Sequence, residues 1–193
     1  MKKLFVVAIL AVISLCINAQ KTVGTLNIQP KVGVTIANLT DIEANSTRIG
    51  MIAGAEVSYT VHPMVDVEAG LLYSMQGCDF ETEIGDCNFK LEYINLPIMA
   101  SANIYKGLRV RTGIQVGFLT KANEKLANVG EFGVKEMINK VDISLPLGLS
   151  YEYSNFILDT RYNLGLNRTF KSGNEFKSKN SVFNITLGYK FSI

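Results

Sequence analysis

The chain has 193 residues, 48% of them hydrophobic and 19% charged, with 19 lysines and arginines against 17 aspartates and glutamates. This length fits one domain, and no linker or low-complexity stretch divides the sequence. Without Lys2 and Lys3, basic and acidic residues balance, so we predict no nucleic-acid partner.

The N-terminus has the pattern of a secretory signal peptide. Lys2 and Lys3 precede an apolar stretch over residues 4–17 that is too short to span a bilayer, and the sequence then turns polar after a small residue. We therefore predict a cleaved signal peptide over residues 1–19 and one β-barrel domain over residues 20–193.

A period-two alternation of apolar and polar residues dominates the rest of the chain and recurs about eight times. In the first run, the apolar positions are Leu26, Ile28, Pro30, Val32, Val34 and Ile36. Each run predicts a strand with one apolar and one polar face, long enough to cross a bilayer when tilted. The pattern predicts an all-β fold, an eight-stranded antiparallel up-and-down transmembrane β-barrel whose apolar faces contact outer-membrane lipid.

The segments between the runs alternate between long and short, as in barrels with long outer loops and tight periplasmic turns. The long segments are residues 38–48, 77–88, 120–140 and 167–178. The short segments are residues 62–64, 105–107 and 154–155. With an even number of strands, both termini are expected in the periplasm and the long loops at the cell surface.

The fourth run breaks the alternation. Phe89 and Leu91 are apolar at odd positions, whereas Ile94, Leu96 and Ile98 are apolar at even ones. A β-bulge near Tyr93 would account for the change of phase.

The polar faces carry charged residues that we expect to point into the barrel. They are Lys31, Glu56, Asp66, Glu68, Arg109, Arg111, Asp142, Glu152, Asp159, Arg161 and Lys190. Isolated buried charges are costly, so these groups should pair across the interior. An eight-stranded barrel is just wide enough for its own side chains, which predicts a filled lumen without an open pore. A proton or ion path through these charges is the functional alternative.

Aromatic residues gather at the ends of the runs, as expected for girdles at the two membrane interfaces. On the short-turn side lie Tyr59, Tyr105, Tyr151, Tyr153, Phe156, Tyr189 and Phe191. On the long-loop side lie Tyr73, Phe89, Phe118, Tyr162 and Phe183.

Two cysteines, Cys78 and Cys87, lie in the same predicted outer loop. Because the protein is exported to an oxidising compartment, we predict a disulfide between them, with two free thiols as the alternative. Cys16 could indicate a lipoprotein signal, but Leu15 is bulky where such signals need a small residue. We expect Cys16 to leave with the signal peptide.

No residue pattern supports catalysis, a metal site or a cofactor. The single histidine, His62, precedes Pro63 in a predicted periplasmic turn, far from the outer rim where barrel enzymes place histidine and acidic partners. A soluble lipocalin-like ligand binder is the competing fold, because it also closes antiparallel strands into a barrel. Its apolar faces would point inward.

The outer loops are the remaining candidates for function, because a filled barrel acts through what it displays. In the loop 120–140 we single out Phe132, Met137 and Ile138, which could dock a protein partner or fold back over the rim. The loop 167–178 contributes the surface-contact candidates Arg168, Phe170 and Lys171, and its basic residues are expected to face the phosphates of lipopolysaccharide.

Four motifs resemble the PorT-like outer-membrane β-barrel proteins of Bacteroidetes, over essentially the whole mature chain. They are YINLP at 93–97, LPLGL at 145–149 followed by Tyr151 and Tyr153, DTRYNLG at 159–165 and LGYKF at 187–191. The resemblance implies barrel architecture and says little about activity. The aromatic Phe191 near the C-terminus resembles the signal that barrel-assembly machinery recognises, although Ser192 and Ile193 follow it. The namesake of the family takes part in protein secretion across the outer membrane.

We therefore predict a monomeric barrel that acts as a structural or surface-interaction protein in contact with outer-membrane lipid. An accessory role in protein secretion or transport is the alternative, and a stable co-purifying partner would favour it.

Overall fold

The computed structural model describes residues 22–40, 45–82, 85–126, 130–136, 138–171 and 178–193. Within its strands, the side chains of residues 45, 79–82, 85–87, 124–126 and 130–132 lie outside the described part, as do the predicted signal peptide and Met137. Among the described residues, no helix is long and apolar enough to cross a bilayer.

All regular structure in the described ranges is β-strand. The strands are β1 (Leu26–Leu39), β2 (Asn45–His62), β3 (Val65–Thr82), β4 (Gly85–Tyr105), β5 (Leu108–Leu126), β6 (Gly130–Gly133), β7 (Val141–Tyr153), β8 (Phe156–Gly165), β9 (Asn180–Tyr189) and β10 (Phe191–Ser192).

The sheet closes on itself. Neighbours along the chain pair antiparallel, and β1 pairs with β9 from Lys31↔Gly188 to Leu39↔Asn180. The short β10 continues β9 along β1, and β6 pairs with the end of β5 outside the ring. The ring is an eight-stranded antiparallel up-and-down barrel, which confirms the predicted fold.

Polar side chains point inward and apolar side chains outward. Lys31 and Glu56 are 5% and 1% exposed, whereas their neighbours Val32 and Val57 are 53% and 40% exposed. The same alternation continues around the ring, which leaves an apolar exterior. A lipocalin-like binder needs the opposite arrangement, so this alternative is wrong.

One end of the barrel, the turn end, has tight turns at residues 63–64, 106–107 and 154–155. Gly107 adopts a φ of +89°, and a Cβ there would lie 2.3 Å from the carbonyl oxygen of Glu152. A residue with a side chain would strain this turn and clash with the adjacent strand.

At the opposite end, the loop end, strand pairing extends into the predicted loops. β3 and β4 stay paired as far as Thr82↔Gly85, so residues 77–88 form a hairpin and the predicted long loop is wrong. β2 begins at Asn45 and β5 runs to Leu126, which shortens two further loops. The sequences of these extensions lack a regular alternation of apolar and polar residues, so the pattern does not reveal them as strands.

The β-bulge predicted near Tyr93 of β4 lies instead on the neighbouring strand, β5. The register of β4 with β5 shifts between Glu92↔Lys121 and Tyr93↔Leu119, so Thr120 of β5 is the extra residue. Along β4 the odd positions point inward without interruption, from buried Phe89 to Ser101. The apparent change of phase arises because the inward face itself turns from polar to apolar.

Candidate functional site

Two carboxylates form the centre of the interior ion network. Glu56 lies 2.5 Å from Lys31 Nζ, 2.5 Å from Arg111 Nη2 and 2.7 Å from Arg161 Nη2. Asp159 contacts the same three cations, with Oδ2 3.0 Å from Lys31 Nζ and 2.9 Å from Arg161 Nη2. Each carboxylate thus accepts hydrogen bonds from strands on different sides of the barrel, which ties the ring together.

A second part of the network lies beside it. Arg111 Nε donates to Glu68 Oε2 at 2.8 Å, and Ser101 Oγ donates to Glu68 Oε1 at 2.9 Å. Arg109 pairs with Asp66 and donates to Ser101 Oγ at 2.6 Å. The shared partners Arg111 and Ser101 make the two parts one connected network.

The network reaches the turn end through Glu152. Its carboxylate pairs with Lys190 and lies 3.7 Å from Arg109 Nη1. The paired cations equal the paired carboxylates in number: Lys31, Arg109, Arg111, Arg161 and Lys190 against Glu56, Asp66, Glu68, Glu152 and Asp159. Such a balanced network fixes the interior, because removing one partner leaves a buried charge uncompensated.

Asp142 lies apart from these ion pairs. It is 7% exposed and accepts a hydrogen bond from Asn180 Nδ2 at 2.9 Å. In the described part of the chain, no lysine or arginine forms an ion pair with it. Asn180 lies opposite Gly165, where a Cβ would lie 2.5 Å from the Asn180 carbonyl oxygen.

The loop-end half of the interior contains an apolar cluster beside buried polar side chains such as Gln76 and Asn180. The buried residues of this cluster, which we name the loop-end plug, are Leu39, Cys78, Phe89, Leu91, Tyr93, Leu119, Ala122 and Ile138, with Val134 and Phe170 packed against them. Ile138 comes from the segment between β6 and β7 and is 0% exposed. The predicted filled lumen therefore has two halves of different chemistry.

Backbone contacts hold the plug in place. Ile138 forms an isolated antiparallel β-bridge with Phe170, whose ring lies 5.9 Å from that of Phe89. Asn139 donates its backbone N–H to the Thr169 carbonyl at 2.8 Å and its side-chain amide to the carbonyls of Arg168 and Phe170 at 2.8 and 3.1 Å.

These interactions bury some of the candidate surface-contact residues and leave others exposed. Ile138 is buried in the plug, so the prediction that it contacts a partner at the surface is wrong, whereas Phe170 packs against the plug and stays half-buried. They fold back because burying both removes apolar surface from water. Arg168 and Lys171 are exposed, whereas the Phe132 side chain and Met137 lie outside the described part.

A basic cleft opens beside the plug. Lys135, Glu136, Lys140 and Lys171 line a volume of about 510 Å³. Lys171 was among the residues predicted from the sequence, but Lys135 and Lys140 were not, because the bridge that joins the two loops is a long-range contact. The sequence feature that could have indicated them is the recurrence of lysines along the segment 120–140.

The aromatic girdles largely follow the prediction. The turn-end aromatics are all exposed on the exterior, and Phe156, Tyr189 and Phe191 pack ring against ring, with centroids 5.2 and 4.7 Å apart. At the loop end, Tyr73 and Phe118 are exposed, but Phe89 is 6% exposed and lies in the plug. Its place in a girdle is therefore wrong, because the odd positions of β4 point inward.

The predicted disulfide involves residues on neighbouring strands. Cys78 is buried and pairs in register with Phe89, whereas Cys87 pairs with Phe80. The two cysteines are thus diagonal rather than opposite, and the Cys87 side chain lies outside the described part. The disulfide stays a prediction.

Residues 18–171 match a family described as the outer membrane protein beta-barrel domain. The chain belongs to this family. The protein is accordingly a small β-barrel of the bacterial outer membrane, and the apolar exterior is its lipid-facing surface.

Solved structures show the same fold. Ail, the attachment invasion locus protein of Yersinia pestis, solved with the heparin analogue sucrose octasulfate, is 15% identical, with a TM-score of 0.51 over 88% of this chain and 100% of Ail. Neisserial surface protein A (NspA) is 13% identical, with a TM-score of 0.53 over 87% of this chain and 97% of NspA. At these identities the likeness shows the fold alone. No curated protein sequence matches the chain.

Proposed function

We propose that the protein is a structural or surface-interaction barrel that acts through its loop end, without transport through its lumen and without catalysis. One observation carries the proposal. Within the described residues, the ion network fills the turn half of the interior and the plug fills the loop half. An interior held by these contacts leaves the exterior and the rim as the surfaces that can meet partners.

We further propose that the loop end faces the cell surface and that both termini are periplasmic. The turn end has short turns and few exposed charges, with Lys106 as the exposed cation beside Tyr105. The loop end has the extended hairpins and the exposed lysines. Short periplasmic turns and longer outer loops are the general arrangement of outer-membrane barrels.

The finer PorT-like assignment to a Bacteroidetes family is part of the proposal. Some residues of its motifs contribute to the interior: Tyr93 lies in the plug, Asn95 donates to Ser74 Oγ at 2.7 Å, and Arg161 binds Glu56. Such residues support barrel architecture and leave the role open. An accessory role in protein secretion is the second candidate, carried by the resemblance to the family namesake.

The absence of catalysis is proposed from the surroundings of the single histidine. His62 lies at the turn end, where its Nδ1 accepts a hydrogen bond from the Met64 backbone N–H at 3.3 Å. Among the described residues, no acidic or hydroxyl side chain forms a hydrogen bond with it, whereas general acid–base catalysis by histidine needs such partners. Barrel-assembly machinery remains the expected partner during biogenesis, with Phe191 near the C-terminus as its recognition residue.

The test combines location, topology and conductance. Outer-membrane fractions should contain a protein whose unboiled and boiled forms migrate differently, and protease added to whole cells should cut only loop-end segments. Purified barrels in planar bilayers should give no ion conductance. Steady conductance steps would contradict the filled lumen, and cleavage at 106–107 in intact cells would contradict the orientation. A stoichiometric partner after mild extraction would favour the secretion role.

A further inference from the structure

The basic cleft joins charges that are distant in the sequence. Lys135 and Lys140 come from the segment between β6 and β7, and Lys171 comes from the segment between β8 and β9. Glu136 is the one carboxylate among the described residues that line it. The cleft therefore carries an excess of positive charge.

The loops cannot separate freely to relieve the repulsion between these lysines. The bridge between Ile138 and Phe170 and the three hydrogen bonds of Asn139 fix the two segments to each other. Ile138 is also anchored in the plug. Cations held together in this way favour a bound anion, whose charge offsets their repulsion.

The cleft is partly organised before any anion arrives. Lys135 Nζ donates to the Thr120 carbonyl at 2.7 Å, which directs its side chain along the rim. Lys140 and Lys171 are exposed. These two ammonium groups are the ones available to a ligand at the surface.

The height of the cleft on the barrel indicates the source of the anion. Lys140 directly precedes Val141, which is 40% exposed and pairs with Phe118, which is 45% exposed. Both lie at the loop-end border of the apolar exterior. The lysines thus stand where the hydrocarbon region ends and lipid headgroups begin.

We propose that the basic cleft binds the phosphate groups of the phosphorylated glycolipid in the outer leaflet, lipopolysaccharide, and so anchors the loop end at the membrane surface. This inference rests on the proposed orientation of the loop end. It assigns the contact to Lys140 and Lys171, with Lys135 and the Ile138–Phe170 bridge as positioning elements.

A second copy of the chain is the competing occupant. The hairpin over residues 79–86 contains Asp79, Glu81, Glu83 and Asp86 and no lysine or arginine. An acidic hairpin of one molecule could meet the basic cleft of another. The membrane level of the cleft favours the lipid, and the experiment separates the two.

The test compares the double variant K140E/K171E with K106E, a single charge reversal at the turn end, and with each single variant, K140E and K171E. Each barrel is reconstituted in phosphatidylcholine vesicles containing lipid A, dephosphorylated lipid A or neither, after the shift on unboiled gels has verified folding. We expect the double variant to retain about tenfold less lipid A than the wild type after mild extraction. K106E should retain as much as the wild type, and dephosphorylated lipid A should not be retained.

Three results would overturn the inference: unchanged retention in K140E/K171E, an equal loss in K106E, or equal retention of dephosphorylated lipid A. Cross-linked dimers that disappear in K140E/K171E at unchanged lipid A retention would assign the cleft to a second copy. Orientation is tested separately, by labelling K171C on intact cells with an impermeant maleimide against a wild-type background. Labelling without lipid A binding would refute only the cleft, whereas absent labelling would refute the orientation.

Discussion

The turn half and the loop half of the barrel interior are occupied by different kinds of side chain. The turn half is filled by charged side chains that bridge strands, as when Arg111 contacts Glu56, Glu68 and Asp159. The loop half contains a cluster of apolar side chains, including Ile138 from a loop. Both kinds of side chain occupy the interior, but we expect them to distribute stability differently.

Charges in the turn half belong to the barrel strands themselves. Their loss should therefore weaken the closure of the whole ring. The plug includes a loop segment, so its loss should first free that segment. We therefore predict that the ion network contributes to the global stability of the barrel, whereas the plug controls local order at the loop end.

The largest effect is expected from Arg111→Met. It leaves Glu56, Glu68 and Asp159 with fewer cations in a buried site, which should lower the free energy of unfolding by about 3–5 kcal/mol. Urea unfolding in lipid vesicles measures it. Lys106→Met, at an exposed turn, is the control and should stay within about 0.5 kcal/mol of the wild type. A loss no larger than the control would refute the role of the network.

Ile138→Ala tests the role of the plug at the loop end. The lost packing should favour opening of the loop by about 2–3 kcal/mol, seen as faster hydrogen exchange of the Asn139 amide. The urea midpoint of the barrel should hardly move, because the strands remain paired. A fall of the midpoint as large as that of Arg111→Met would show that both halves contribute globally.

The next largest effect is expected from a comparison of two buried carboxylates, Asp159 and Asp142. Asp159→Asn removes a charge that contacts Lys31, Arg111 and Arg161, whereas Asp142→Asn keeps an oxygen that can accept the Asn180 hydrogen bond. We expect Asp159→Asn to be more destabilising by about 2 kcal/mol, measured by the same urea unfolding. Equal losses would mean that Asp142 has a partner as strong as those of Asp159.

The smallest effect concerns Cys78 and Cys87. If the predicted disulfide forms, alkylation of the denatured, unreduced protein should label neither residue. Reduction should cost about 1–2 kcal/mol, less than loop closure alone would give, because a bridge between diagonal positions is strained. Diagonal positions in a sheet lie about 7–8 Å apart, so the bond would require a local shift of the hairpin. Labelling of both cysteines without reduction would show the prediction to be wrong.

Alternation was a reliable guide wherever the interior is polar. Lys31, Glu56 and Arg111 could be assigned inward from parity alone, because a charged residue on a lipid-facing strand has no other acceptable position. The rule misled in β4, where Phe89 and Leu91 are apolar and yet inward. Odd and even positions along a strand always lie on opposite faces. The polarity of the side chains shows which face points inward only where one face is polar and the other is apolar.

The strands and their polar and apolar faces could be predicted from the sequence, because they follow from a local period of two repeated in every strand. The fold itself was needed to show that β1 and β9 close the ring with the polar faces inward, which cation meets which carboxylate, and that Ile138 meets Phe170 to form the plug and the basic cleft. Those contacts join segments far apart in the chain, where no local pattern constrains the partner.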